Sequence, residues 1–181
     1  MEYTFESERL GFRRWQEADK IPFAHMNADL QVMRYFPSTI TREESDQLVE
    51  RFESHFQEKG YGIWALELKE TREFLGFIGL LTIKMDTDFH GSTEIGWRLN
   101  SPFWKKGYAM EGAKACLNYA FHTLQLPEVY SFTALLNKDS EKVMQRIGMR
   151  KVKEFNHPKL EIDHPLGRHV LYKLENVSTE L

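Results

Sequence analysis

Apolar and polar side chains alternate from Arg9 to Trp15, with Leu10 and Phe12 on one face, and predict a short strand. The spacing then turns helical at Ile21, Phe23, Ala24 and Met26 and ends near Asn27. Asp29 to Ile40 keeps neither period, and Pro37 and Ser38 punctuate it. Thr41-Arg42-Glu43-Glu44 sets a hydroxyl three residues ahead of a carboxylate, the reciprocal cap that opens a helix. Leu48, Val49, Phe52 and Phe56 follow on one helical face, and Gly60 ends it. Strands are predicted at Tyr61–Leu68, Glu73–Lys84 and Thr93–Leu99, with turns at Thr71-Arg72 and Asp86–Ser92. A helix spans about Tyr108 to Thr123, with Ala109, Ala113, Cys116, Leu117, Ala120, Phe121 and Leu124 in register. A strand at Val129–Ala134, a helix at Ser140–Ile147 closed by Gly148, and strands at Met149–Phe155 and Arg168–Leu174 complete the chain. The order β-α-α-β-β-β-α-β-α-β-β is α/β with an α+β-like order. It predicts a mixed, mostly antiparallel central sheet flanked by helices, with a single β-α-β crossover.

The chain has 181 residues, 41% of them hydrophobic, which is enough for one core, and it shows no repeat, low-complexity tract or linker. Residues 1–181 are therefore expected to form a single domain. A formal net charge of −3 exerts no global pull on nucleic acid, so any basic site is local and no nucleic-acid partner is expected. Cys116 is the only cysteine and falls on the apolar face of the long helix, which excludes an internal disulfide. No cluster has zinc-ligand spacing, and no metal is expected. The opening Met1-Glu2-Tyr3-Thr4-Phe5-Glu6 lacks the basic and apolar blocks of a signal peptide. No apolar run approaches the ~20 residues of a membrane span. A cytoplasmic location without a membrane partner is the expectation.

Candidate chemistry concentrates in Glu94-Ile95-Gly96-Trp97-Arg98-Leu99 and Phe103-Trp104-Lys105-Lys106-Gly107-Tyr108-Ala109. These read as a strand, a basic glycine loop and the first turn of a helix. Such a loop aims unpaired N–H groups and the positive end of the helix dipole at one point, where an anion fits, most often a phosphate. Gly107-Tyr108-Ala109-Met110-Glu111-Gly112 can be stretched into a degenerate dinucleotide fingerprint. It lies past mid-chain after antiparallel strands, however, and the next strand does not end in the acidic residue a ribose needs. No Gly-Lys-Ser/Thr follows at Walker spacing. The plain alternative is an ordinary strand-to-helix turn with surface lysines.

The wider pattern resembles the acetyl-CoA loop region of the GNAT superfamily of N-acetyltransferases, in the RimJ/RimL-like branch. The resemblance is carried by Glu94-Ile95-Gly96-Trp97, Trp104-Lys105-Lys106-Gly107-Tyr108-Ala109, Glu111-Gly112-Ala113 and Tyr119-Ala120-Phe121. It continues through Asn137-Lys138-Asp139-Ser140 and Gln145-Arg146-Ile147-Gly148-Met149. Upstream, Glu8-Arg9-Leu10-Gly11-Phe12-Arg13 with Asp19 looks like the branch's opening strand, and Phe74 to Leu80 like its central strand. It spans about residues 5–175. One departure is Trp104, where the superfamily often has Arg or Gln three residues before the first loop glycine.

The resemblance implies a GNAT fold in which the crossover carries the CoA loop, and acetyl-CoA as co-substrate. The N–H groups of Lys105, Lys106, Gly107, Tyr108 and Ala109 would hold the pyrophosphate, with Trp104 beside them and the two lysines adding charge. Trp97, Arg98 and Leu99 would offer a backbone edge to the amide-bearing pantetheine arm. Asn137 would hydrogen-bond that arm as well as cap its helix. Ser140 would sit near the sulfur and protonate or stabilise the departing thiolate. Glu94, on the strand leading to the loop, is the candidate base for the attacking amine, with Glu161, His157 and His90 as alternatives. No nucleophile is implied, so the amine attacks directly in a ternary complex. The acceptor pocket would be built from Asn27–Thr41, Met85–Ser92 and the chain around Phe155–Gly167, with Tyr35, Phe36 and Phe89 lining it and Asp86, Asp88, Glu161 and Asp163 drawing a cationic amine. The expected partner is a protein N-terminus or a small-molecule amine, and a homodimer is a family expectation. A CoA-binding sensor without catalysis is the rival reading, because it would keep the same loop.

Overall fold

One eight-stranded sheet organises the computed structural model, which describes residues 2–176, so the ends of the expected 1–181 domain lie outside the described residues. The strands are β1 (Phe5–Glu6), β2 (Leu10–Arg13), β3 (Ile63–Leu68), β4 (Phe74–Thr82), β5 (Thr93–Leu99), β6 (Glu128–Ala134), β7 (Arg150–Asn156) and β8 (Arg168–Glu175). They lie in the order β1-β2-β3-β4-β5-β6-β8-β7. Every pair is antiparallel except β5 with β6, which the crossover makes parallel. The helices are α1 (Lys20–Ala28), α2 (Arg42–Lys59), α3 (Tyr108–Asn118, the crossover) and α4 (Lys138–Arg146). The order agrees with the expectation except at two points.

The first is β1, whose two residues are too few to show a period. Long-range stacking holds it instead: the Phe5 ring lies 4.2 Å from Phe12 and 4.4 Å from Tyr119. The second is the end of the long helix. Its regular part stops at Asn118, and Tyr119–Thr123 forms a wider π turn in which the Leu124 N–H reaches Tyr119 O at 3.1 Å. By contrast the cap of α2 is as expected. Thr41 Oγ1 accepts from the Glu44 N–H at 3.2 Å, and Glu44 Oε2 accepts from the Thr41 N–H at 2.7 Å.

The period of two along the strands divides the core. Trp64 and Ile78 face α3, in a cluster with Leu10, Ile95, Ala113 and Leu117. Their neighbours Ile63 and Phe77 face α1 and α2, against Phe23, Val49 and Phe52. Gly112 lets α3 lie close on the sheet, because a Cβ there would stand 2.4 Å from Ile78 Cδ1. Between the layers, Arg13, Asp19 and Glu67 are buried together. Arg13 donates to Asp19 Oδ1 and Oδ2 at 2.9 and 2.7 Å and to Glu67 Oε2 at 2.8 Å. Burial opposes its charge, yet the bonds to Asp19 and Glu67 win and raise its pKa. Removing Asp19 leaves Arg13 balanced by Glu67 but takes away two charge-assisted bonds and leaves buried guanidinium N–H groups short of acceptors. Asp19→Ala is therefore expected to cost about 3 kcal/mol of stability, read as a lower denaturation midpoint in urea.

Candidate active site

Beyond a single bridging pair, Glu94 with Tyr130, β5 and β6 separate. The Asn100 N–H bonds Leu75 O on β4 at 2.9 Å, so by alternation the backbone groups of Ile95, Trp97 and Leu99 point the other way, toward β6. Two of the carbonyls left over find side chains. Ile95 O accepts from Ser131 Oγ at 3.0 Å, and Leu99 O from Trp104 Nε1 at 2.7 Å. The N–H and C=O of Trp97 face the gap with no strand opposite, while its ring packs in the α3-side core.

A cavity of about 1030 Å³ runs through this gap. It is lined by Lys105, Gly107, Tyr108 and Ala109 of the loop, by Glu94, Gly96, Trp97 and Arg98 of β5, by Ser131 and Thr133 of β6, and by Tyr35 and Phe36. In the loop, Lys105 (φ 60°) and Gly107 (φ 85°) take left-handed backbone, which turns successive amides inward. None of the N–H groups from Lys105 to Met110 has an acceptor among the described residues. Lys106 differs from expectation. It does not line the cavity, its carbonyl accepts from Arg9 Nη1 at 3.1 Å, and its Nζ lies 5.7 Å from the Phe103 ring centre. Trp104 lines the cavity as the clamp on Leu99.

Two residues read only as part of a strand and a helix entry brace this loop. Glu111, in the first turn of α3, accepts from Ser7 Oγ at 2.7 Å, Arg9 N at 2.8 Å and Arg9 Nε at 2.6 Å. The Arg9 guanidinium also packs 4.4 Å from the Tyr108 ring centre. Burial alone would raise the Glu111 pKa, but these bonds hold it low, so its charge is satisfied internally and the loop amides stay free.

Glu94 and Arg98 project from the other face of β5. Their partners across β4 are Leu81 and Phe77, which face α1 and α2. Glu94 is half-buried, has no hydrogen-bond or ion-pair partner among the described residues, and is pushed up to about 7 by burial. Arg98 is lowered to about 10 by burial and remains a cation at neutral pH. Its Nη1 donates to Asn27 Oδ1 at 2.6 Å.

On the β6 side, Asn137 caps α4. Its Oδ1 accepts from the Ser140 N–H at 3.3 Å, and its Nδ2 donates to Thr133 Oγ1 at 3.0 Å and Ser140 Oγ at 3.1 Å. Both Nδ2 donors are thus engaged, and what Asn137 can still offer a ligand is one Oδ1 lone pair. Ser140 Oγ accepts from Asn137, which leaves its own proton free to donate into the cavity.

Other expected residues divide. Tyr35 and Phe36 line the cavity; Phe89 does not, being buried with Ile83, Met85 and Leu171. Asp86, Asp88, Glu161, Asp163 and His90 also lie off the cavity, with Asp88 paired to Lys153 at 2.5 Å and His90 Nδ1 2.9 Å from Met85 O. His157 lines it beside His169, with ring centres 4.8 Å apart. Burial drives His169 down to about 4, so that ring is neutral at neutral pH. Arg34 was missed. It packs 4.9 Å from the Trp104 ring centre and pairs with Asp139 of α4 at 3.3 Å, across the cavity mouth. Its segment lacks any period that would have singled it out. No group of three or more metal-ligating side chains occurs among the described residues, nor any helix long and apolar enough to cross a membrane.

A family model described as an acetyltransferase (GNAT) domain matches residues 9–150. The uncharacterized protein YkkB of Bacillus subtilis (strain 168) is 30% identical over 158 residues, covering 84% of this chain and 90% of that protein. A solved GNAT-family acetyltransferase from Bacillus anthracis shares the fold with a TM-score of 0.79 at 25% identity, over 95% of this chain and 98% of that one. Spermidine N-acetyltransferase from Vibrio cholerae, solved with CoA and spermine, has the same fold with a TM-score of 0.75 at 19% identity, over 93% of this chain and 96% of its own.

The raised Glu94 pKa has a consequence for stability. The folded chain holds this proton more tightly than the unfolded chain, so stability falls as pH rises from about 4.5 through about 7 and stays lower above. Glu94→Gln removes that penalty. Its melting temperature is expected to exceed the parent's at pH 8 and to match it near pH 4.

Proposed function

The chain belongs to the GNAT acetyltransferase family, and we propose that it moves acetyl from acetyl-CoA to a primary amine in a ternary complex. What supports this reading is the convergence on one cavity of unpartnered loop amides, the open Trp97 edge and a carboxylate poised near neutrality. The residues present fit CoA. Amides of Lys105 to Ala109, with the helix dipole behind them, suit its pyrophosphate. The Trp97 N–H and C=O suit an amide-bearing arm laid along the strand edge. When bound, acetyl-CoA supplies the activated acetyl group. Glu94 takes a proton from the incoming ammonium, directly or through water, so that the nitrogen attacks as the neutral amine. Ser140 gives its proton to the sulfur as the carbon–sulfur bond breaks and is restored by the proton that the attacking nitrogen sheds on becoming the amide, with Asn137 holding the Ser140 oxygen in place. The finer likeness to the RimJ/RimL branch rests on the opening strand and the loop residues quoted above, and leaves a protein N-terminus or a small amine as acceptor.

A first measurement is thermal. CoA or acetyl-CoA is expected to raise the melting temperature and NAD to leave it unchanged; the reverse would sink this reading. Acetyl-CoA binding with no turnover on any amine would indicate a sensor instead. Gly107→Asp forces a side chain into left-handed backbone and adds an anion to the phosphate loop. It is expected to weaken acetyl-CoA binding about tenfold or more by calorimetry. With Glu94 as base, kcat/KM rises with pH through a midpoint near 7. In Glu94→Gln that limb is expected to disappear, with a loss of about a hundredfold at pH 8.

A further inference from the structure

Arg98 lines the cavity from the same face of β5 as Glu94, with its charge unanswered among the described residues. Phe36 and Phe77 pack on the guanidinium, their ring centres 4.2 and 5.3 Å away, so its edges are left for hydrogen bonding. One edge is fixed: Nη1 donates to Asn27 Oδ1, and fully buried Asn27 is in turn held by Ser45 Oγ at 2.8 Å. On the other edge Nε is sealed from water without an acceptor, and Nη2 has none among the described residues. No carboxylate lies within 4.0 Å of this cation among the described residues, whereas Arg13 of the same sheet has two. A desolvated guanidinium without a counter-charge costs stability. Nη2 is the donor left open to a carboxylate; Nε, sealed beside it, completes the planar two-bond fork when the guanidinium turns outward.

Glu94 and Arg98 share a face of β5 with Gly96 between them, and nothing stands within 4 Å of where a Gly96 Cβ would be. The floor joining the two groups is therefore open. Resting on the acetyltransferase reading, we infer that the acceptor is an amine that also bears a carboxylate, its nitrogen at Glu94 and its carboxylate on the free edge of Arg98. A polyamine meets Arg98 as a like charge and is disfavoured.

The test uses the wild-type protein and acetyl-CoA-dependent thiol release. Acceptors are glycine, β-alanine, γ-aminobutyrate and simple dipeptides, each also offered as its primary amide, together with spermidine. At least one skeleton is expected to show kcat/KM roughly tenfold to a hundredfold higher as the acid than as the amide. That ratio should fall toward one in Arg98→Gln and recover in part in Arg98→Lys, with folding of both variants checked by thermal melting. A purely structural role for Arg98 lowers both forms together and keeps the ratio. Equal turnover of acid and amide, a preference for spermidine, or an unchanged ratio in Arg98→Gln overturns the carboxylate assignment and leaves the transferase reading standing. Acetyl-CoA binding without turnover of any member overturns both. If Arg98→Gln does not fold, the wild-type ratio decides alone.

Discussion

Neighbouring parallel strands ordinarily exchange hydrogen bonds along their length, but β5 and β6 hold each other only at Glu94 and Tyr130. Each backbone group released by that parting must find water, a side chain or a ligand. Ser131 and Trp104 take the carbonyls of Ile95 and Leu99, and the Trp97 groups are left over. The parting is held from both sides. On one, β5 is zipped to β4 from Thr93 to Leu99; on the other, β6 is zipped to β8 from Glu128 to Ala134. The crossover helix fits between because Gly112 lets it approach β4, and its open amides arrive at the mouth of the same gap.

The sheet treats buried charge in two opposite ways. Around Arg13 the geometry is closed: two carboxylates answer one guanidinium, and Glu67 additionally bonds Tyr3 and Arg72. Around Glu94 and Arg98 it is open. Neither has an ion-pair partner among the described residues, and burial shifts each toward its neutral form. Burying a charge without compensation is expensive, so a pair of such groups on one cavity wall is poor economy for a scaffold and sound chemistry for a site that binds its counter-charges from outside.

Most of the fold was legible in the sequence because most of its elements obey local rules. The cap at Thr41, the alternation in β3 and β4 and the helical stripe of α3 are each written within a few residues. What escaped depends on partners far along the chain. Phe5 becomes a strand through rings at Phe12 and Tyr119, and Glu111 becomes a loop brace through Ser7 and Arg9, over a hundred residues away. The glycine loop with its unpartnered amides was visible because glycine, small residues and a helix start are adjacent. The Asp86–Asp88 segment misled, since acidic loop residues look alike whether they face a cavity or, like Asp88, a surface lysine. Arg98 was assigned for its backbone; its side chain's isolation is a property of what surrounds it, which spacing does not encode.

Why a strand carries this site follows from what a strand leaves free. In a helix the backbone groups are consumed internally, and one face serves one neighbour. Seven-residue β5 serves three directions at once: Ile95, Trp97 and Leu99 pack toward α3, Glu94 and Arg98 point toward α1 and α2, and the backbone edge at Trp97 opens to the gap. The period of two makes that division absolute. A slip of one residue against β4 would turn Glu94 and Arg98 into the α3-side core and Ile95 and Trp97 toward α1 and α2. The seven-pair register between β4 and β5 is thus more than a stabilising zipper. It separates the apolar layer that holds the helix from the charged groups on the cavity wall.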